Sequence, residues 1–193
     1  MKPLKVLGLV AAGLILLVII AMSAIVGRRN QMITLREVVR QSWSQIDVVI
    51  QRRSDLIPNL VETVKGIAAQ EKEVFSNIAD ARARLAGAQS PGDRMAANDR
   101  LTGALGRLLM IVENYPQLRS NENFLRLQDE LAGTENRIAV ERRRFNQNVQ
   151  AFNTYILLFP NNLVAAMSGF LTEEEYFEAA PGSREVPSVM FTQ

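Results

Sequence analysis

Residues 124–159 read FLRLQDELAGTENRIAVERRRFNQNVQAFNTYILLF, and their spacing decides the fold. Phe124, Leu127, Leu131, Thr134, Ile138, Phe145, Val149, Phe152, Ile156 and Phe159 recur at helical intervals and share one face. A helix of roughly 36 residues extends about 54 Å at 1.5 Å per residue. Pro160 stops it, because proline brings no N–H and its ring clashes with the preceding turn. An apolar stripe of that length needs antiparallel partners of comparable length to cover it.

The chain before it supplies such partners. Met32, Leu35, Val39, Trp43, Ile46 and Ile50 step by three or four, and Leu60, Val64, Ile67, Val74 and Ile78 continue the pattern to Leu85, interrupted at Glu71. Two readings stand for this region: one kinked helix from Met32 to about Ala86, or two helices meeting near Pro58. In the second, Ser54 and Asp55 cap a new helix and Pro58 lies in its first turn. Gly87, Ser90, Pro91 and Gly92 mark a loop. A third helix is expected from about Asp93 to Asn114, with Leu101, Leu105, Leu108 and Val112 on one face, ending at Tyr115-Pro116. Ser120, Asn121 and Asn123 are candidate caps for the long last helix. No segment alternates as a half-buried strand does.

Val6–Gly27, VLGLVAAGLILLVIIAMSAIVG, holds no charged, Asn or Gln side chain and lies between Lys2, Lys5 and Arg28, Arg29. About 20 apolar residues cross a hydrocarbon core about 30 Å thick. A cleaved signal peptide and a buried core helix are the competing readings. The run exceeds the usual signal core, Arg28-Arg29 follow it as a stop, and it lacks the polar stripe of a packed helix, so the residues favour a permanent single-pass anchor. Basic residues flank both ends, Lys2 and Lys5 against Arg28, Arg29, Arg36 and Arg40, with a lean toward a cytoplasmic C-terminal part. The expected fold class is all-α: an N-terminal single transmembrane helix followed by an elongated antiparallel bundle of long helices. The division is 1–29 anchor, 30–160 bundle, and 161–193 an apolar patch and extended tail packing on the bundle or a neighbouring subunit.

Composition narrows the chemistry. The chain has no Cys and no His. Thiol chemistry, Cys-ligated metals and His-dependent catalysis are therefore outside its own means. No cofactor, metal ligand set or catalytic residue is readable, and the expectation is a protein that is not an enzyme. Of 22 basic side chains, Lys2 and Lys5 precede the anchor and the rest balance the 20 acidic ones. No basic cluster interleaves with aromatics, so nucleic acid is not an expected partner. The densest basic run, Arg142-Arg143-Arg144, follows Glu141 and spreads around a helix axis.

Polar residues nevertheless fall in or beside the apolar stripes. Asp47 and Arg53 neighbour Ile46 and Ile50 in register; Asp55 and Asn59 recur around Pro58; Glu135, Arg142, Asn146 and Asn153 do the same on the last helix. Two readings remain open for this cluster. Interhelical ion pairs and amide bonds would fix register at some cost in stability. A carboxylate–guanidinium groove would instead receive a ligand or lipid.

These segments also carry a family resemblance. WSQIDVVIQRRSDLIPNLVETVKGIAAQE (43–71), ENYPQLRSNENFLRLQDEL (113–131) and ENRIAVERRRFNQNVQAFNTYILLFPNNLVA (135–165) resemble three signatures of the LemA family of bacterial membrane proteins. Tyr176-Phe177-Glu178-Ala179 and Val186-Pro187-Ser188-Val189-Met190-Phe191 are similar to its tail motifs. The resemblance implies one N-terminal membrane helix, an antiparallel bundle and a bacterial inner-membrane address, with no catalytic residues. Ile67-Ala68-Ala69-Gln70 departs from it where family members often carry an aromatic residue and a His, which argues against a metal there.

In the tail, Asn161–Leu171 is an apolar patch too short to cross a bilayer. It is expected to pack on the bundle, with membrane or subunit contact as alternatives. Thr172 is a candidate cap for a helix start at Glu173-Glu174-Glu175, and VPSVMFTQ reads as an extended, β-prone ending that lies on its own bundle or straps a neighbour. The function expected is a non-enzymatic membrane-anchored scaffold, acting in envelope maintenance or stress response. It touches the bilayer through residues 6–27 and forms homo-oligomers or binds envelope proteins; a ligand- or lipid-binding module is the alternative.

Overall fold

The computed structural model describes residues 3–173 and 176–177. Its elements are α1 (Pro3–Lys65), α2 (Lys72–Gly87), α3 (Pro91–Val112), the single turn α4 (Pro116–Arg119), α5 (Glu122–Leu157) and α6 (Asn161–Ser168). Among the described residues there is no strand. The fold is all-α.

Local chemistry sets three of the helix ends. Ser90 accepts from the Asp93 amide at 3.0 Å and Pro91 follows at the first helical position, which starts α3. Asn121 accepts from the Phe124 amide at 3.0 Å and starts α5; of the three candidate caps it is the one used. α6 closes on Gly169 at φ 70°, in the left-handed region that glycine enters freely. The Phe170 amide then donates to Ala165 O and the Gly169 amide to Ala166 O, the paired bonds of a Schellman ending. Phe170 seals it by packing edge-on to Phe152.

Neither open reading of this region holds as drawn: the helix does not break at Pro58, and it does not run on to Ala86. α1 is one 63-residue helix that carries the apolar span, passes Pro58 and ends at Lys65. The interruption falls instead at residues 66–71, so Ile67 and Glu71 leave the helical stripe in which their spacing placed them. Gly66 is not forced by sterics: a Cβ there would sit 3.6 Å from Thr63 O and 3.8 Å from Glu62 O, ordinary contacts. Tertiary contacts hold the turn. Ala68 is fully buried, and Tyr115 at the far end of α3 donates to Glu71 at 3.0 Å while accepting from Gln70.

α1, α2, α3 and α5 alternate in direction, an up–down–up–down arrangement. α1 pairs most intimately with α5, and α2 with α3. Arg53 meets Glu135 and Trp43 meets Phe145, with equal separations on the two helices, so α1 and α5 run antiparallel in one constant register. The core follows the expected stripes: Met32, Ile46, Ile50, Leu60, Leu101, Leu108, Phe124, Ile138, Val149 and Phe152 are among its buried members. The α2–α3 hairpin accompanies only the upper part of α1. Below it, α6 and the segment after it take its place, with Val164, Ala165 and Phe170 in the core. A full-length third helix is thus not what covers the α5 stripe.

Candidate functional site

Three ion pairs close a ring around the middle of the bundle. Asp47 on α1 pairs with Arg94 on α3, Arg53 on α1 with Glu135 on α5, and Arg142 on α5 with Asp99 on α3 at 2.6 Å. Each pair of these three helices is bridged once, and acids balance bases. The members differ in weight because solvent reaches them unequally. Asp99 and Glu135 are half-exposed, where water screens most of the attraction. Arg53 is 4 % exposed. Its Nη1 also donates to Thr102 Oγ1 at 2.9 Å and to Asn98 Oδ1 at 3.3 Å.

Burial is the largest influence on Arg53 and pulls its guanidinium below its ordinary value, opposed chiefly by the negative charge of Glu135. Arginine still keeps its proton, so the interior holds a permanent cation that needs all three partners. Asn98 is fully buried, and its amide nitrogen has no hydrogen-bond partner among the described residues. Beside this layer lies a cavity of about 260 Å³, lined mainly by Leu60, Leu105, Leu109 and Leu131, with Arg53 and Glu135 at one end. A larger hollow of about 830 Å³ lies at the distal end of the bundle near Met110 and Leu125, away from the ion pairs. It presents Glu113 and Arg119 with no buried polar group, so the chemistry resides in the Arg53 layer.

The polar residues singled out by spacing therefore separate into three sets. Asp47, Arg53, Glu135 and Arg142 belong to the ring. Asp55 and Asn59 do not: both are exposed, Asp55 accepting from Gln51 at 2.8 Å and Asn59 offering its carbonyl to Thr63. They sit one helical face away from the stripe.

Asn146 and Asn153 form the third set, a clamp for the tail. Asn153 donates to Glu173 O at 2.7 Å and accepts from the Glu173 amide at 2.9 Å. Asn146 does the same with Phe177, at 2.8 and 2.9 Å. A carboxamide carries one acceptor and two donors, so it matches the backbone of an extended residue as a strand neighbour would. Two such side chains spaced two turns apart hold the tail antiparallel to α5. Phe177 then stacks 4.8 Å from Phe145 and 5.9 Å from Trp43. Of the candidate helix start, Thr172 and Glu173 are non-helical, and Glu173 gives its backbone groups to Asn153. Glu174, Glu175, Glu178, Ala179 and the ending Val186–Gln193 lie outside the described residues.

Sequence reasoning missed the α3 contribution. Arg94, Asn98 and Thr102 recur every four residues beside Leu101 and Leu105, and that spacing was the available signal. Tyr115 does more than end a helix. Its phenol is raised above its ordinary value, first by loss of water contact and then by its hydrogen bond to Glu71 and that carboxylate's charge.

Fold and site together define an all-α protein whose first helix is long and apolar enough to cross a membrane. The LemA family model matches residues 42–191, and the chain belongs to that family. It is 29 % identical to magnetosome protein MamQ of Magnetospirillum gryphiswaldense, over 82 % of this chain and 68 % of that protein. Magnetosome protein MamQ 2 of Paramagnetospirillum magneticum is 28 % identical over 86 % of this chain and 71 % of that protein. Protein LemA of Metamycoplasma hominis is 26 % identical over 72 % and 64 %.

Proposed function

We propose that this protein is a non-enzymatic scaffold of the bacterial inner membrane, which self-associates or binds partner proteins beside the bilayer. The observation that carries this reading is the continuity of α1. A single helix of 63 residues, about 95 Å at 1.5 Å per residue, begins in the apolar span and ends as a core element of the bundle. The anchor and the bundle share one rod, which suits holding a surface at a set distance from lipid. The bundle stands on the cytoplasmic side in this reading. Relatives named as magnetosome proteins support a role at a specialised cellular structure. The test is the mass of the full-length chain extracted in mild detergent: species larger than one copy, or a stoichiometric partner, are expected. Monomers alone, without a partner, would count against it.

One observation favours a second reading. The mainly apolar cavity beside Arg53, with that buried cation in its lining, has the makings of a small-ligand or lipid-chain site. In that case Arg53→Ala abolishes binding of a fatty-acid probe under conditions where the variant keeps the native helicity; retained binding, or none to the native chain, assigns the layer to structure.

A further inference from the structure

The end of the bundle next to the apolar span is its least polar part. From Phe145 to Thr172 the chain carries no charged residue. This run forms the last turns of α5, the turn at Pro160, α6 and the start of the tail. Val164, Ala165 and Phe170 are buried on the bundle. Leu157, Leu158, Phe159, Leu163, Met167 and Leu171 are not: Phe159 and Met167 are each 79 % exposed, and Leu171 is 82 % exposed. α6 thus has a packed face and an open apolar face. Scattered exposed apolar residues are ordinary, but six gathered at one corner mark a surface that something covers.

The helix register says what lies beside that corner. The constant antiparallel register set by Arg53–Glu135 and Trp43–Phe145, continued down the pair, brings Arg28 level with Pro160. Arg36 lies over the Phe170 ring, 4.9 Å from its centroid, while Phe170 packs on Phe152, which agrees with that register. Ile25, inside the apolar span, packs partly against the core. The open corner therefore stands where Val6–Gly27 gives way to Arg28-Arg29, at the headgroup boundary of a bilayer crossed by α1.

We propose that the α5–α6 corner is a second membrane contact, a foot that sinks these six side chains into the interfacial layer of the bilayer that α1 spans. Continuity with the anchor selects lipid over a second protein copy: the same register that builds the bundle sets the corner at lipid level. Charge agrees. From Leu157 to Leu171 the corner carries no carboxylate, its polar side chains Asn161, Asn162 and Ser168 are neutral, and Arg28 and Arg29 stand beside it for anionic headgroups. Two contacts fix an orientation that one helix leaves free, so the bundle keeps one face toward the membrane instead of swivelling about α1.

This inference rests on the anchor reading above, and one experiment separates the two. The chain has no native cysteine, so Leu17→Cys, Val48→Cys, Phe159→Cys and Met167→Cys each take an environment-sensitive fluorophore at one place. The labelled full-length proteins go into phosphatidylcholine–phosphatidylglycerol vesicles carrying spin-labelled lipid as quencher. Labels at 159 and 167 are expected to shift to the blue and lose fluorescence to a shallow quencher. The label at 17 loses it to a deep quencher, and the label at 48 keeps the emission seen in water. If 159 and 167 behave like 48 while 17 is quenched, the foot is overturned and the anchor stands. An unquenched label at 17 overturns both. Cross-linking of Phe159→Cys between copies, without lipid quenching, overturns the foot in favour of a protein interface.

Discussion

Arg53 is the residue on which the middle of the bundle turns. Truncating it to Ala leaves the buried Asn98 without its donor and removes the partner of Glu135. Because Glu135 is half-exposed, water recovers part of its loss, and the expected destabilisation is about 2 kcal/mol, read from urea unfolding followed by helicity. Arg142→Ala breaks a pair whose acid is half in solvent and should cost less than about 1 kcal/mol. The asparagine clamp makes a different prediction. In Asn146→Asp a carboxylate accepts from the Phe177 amide but has nothing to donate to its carbonyl. One bond of about 1 kcal/mol is lost, so the Phe177 amide should exchange hydrogen about 5-fold faster, with melting of the helices unchanged. Tyr115 yields a pH signature. Its raised phenol means the folded state holds the proton more tightly than the unfolded chain. The stabilising donation to Glu71 is complete below the unfolded value of about 10 and is lost as pH rises through the folded one. The difference in melting between the native chain and Tyr115→Phe should be constant below about pH 10 and shrink above it. At this scale sequence reading found Arg53, Glu135, Asn146 and Asn153 because polar groups stood out against apolar stripes. It could not tell that the asparagines serve a tail segment 20 and 31 residues away, since nothing local encodes that distance.

The elements show which signals are local and which are not. The α5 stripe, its Asn121 cap and the Ser90-Pro91 start of α3 were legible because periodicity and capping act within a few residues. The end of α1 was not. Pro58 is the louder breaker in the sequence, yet burial of Ile57 and Leu60 on either side holds the helix through it. The true break at 66–71 depends on Tyr115, more than 40 residues onward. A proline inside a helix denies the carbonyl four residues earlier its donor. Pro58→Ala should therefore restore a bond to Ser54 and stabilise the bundle by about 1–3 kcal/mol, raising the urea midpoint. An unchanged or lowered midpoint would show that the proline ring's packing outweighs the missing bond.

On the scale of the whole molecule, the apolar span and the bundle are parts of one object. Self-association would gather anchors as well as rods, and a foot at the α5–α6 corner would give every copy the same face toward lipid. Both consequences require α1 to remain helical across the boundary at Arg28-Arg29, where the Arg28 guanidinium donates back to Ala24 O at 3.1 Å. The measurement that tests this most directly is a pulsed spin-label distance in lipid bilayers between labels at Val26 and Val48, both exposed on α1. A continuous helix gives a single narrow distribution centred near about 33 Å. A broad distribution, or one centred well short of that, would mean the chain bends or unwinds at the bilayer surface, and the anchor would then be a tether and not a part of the rod.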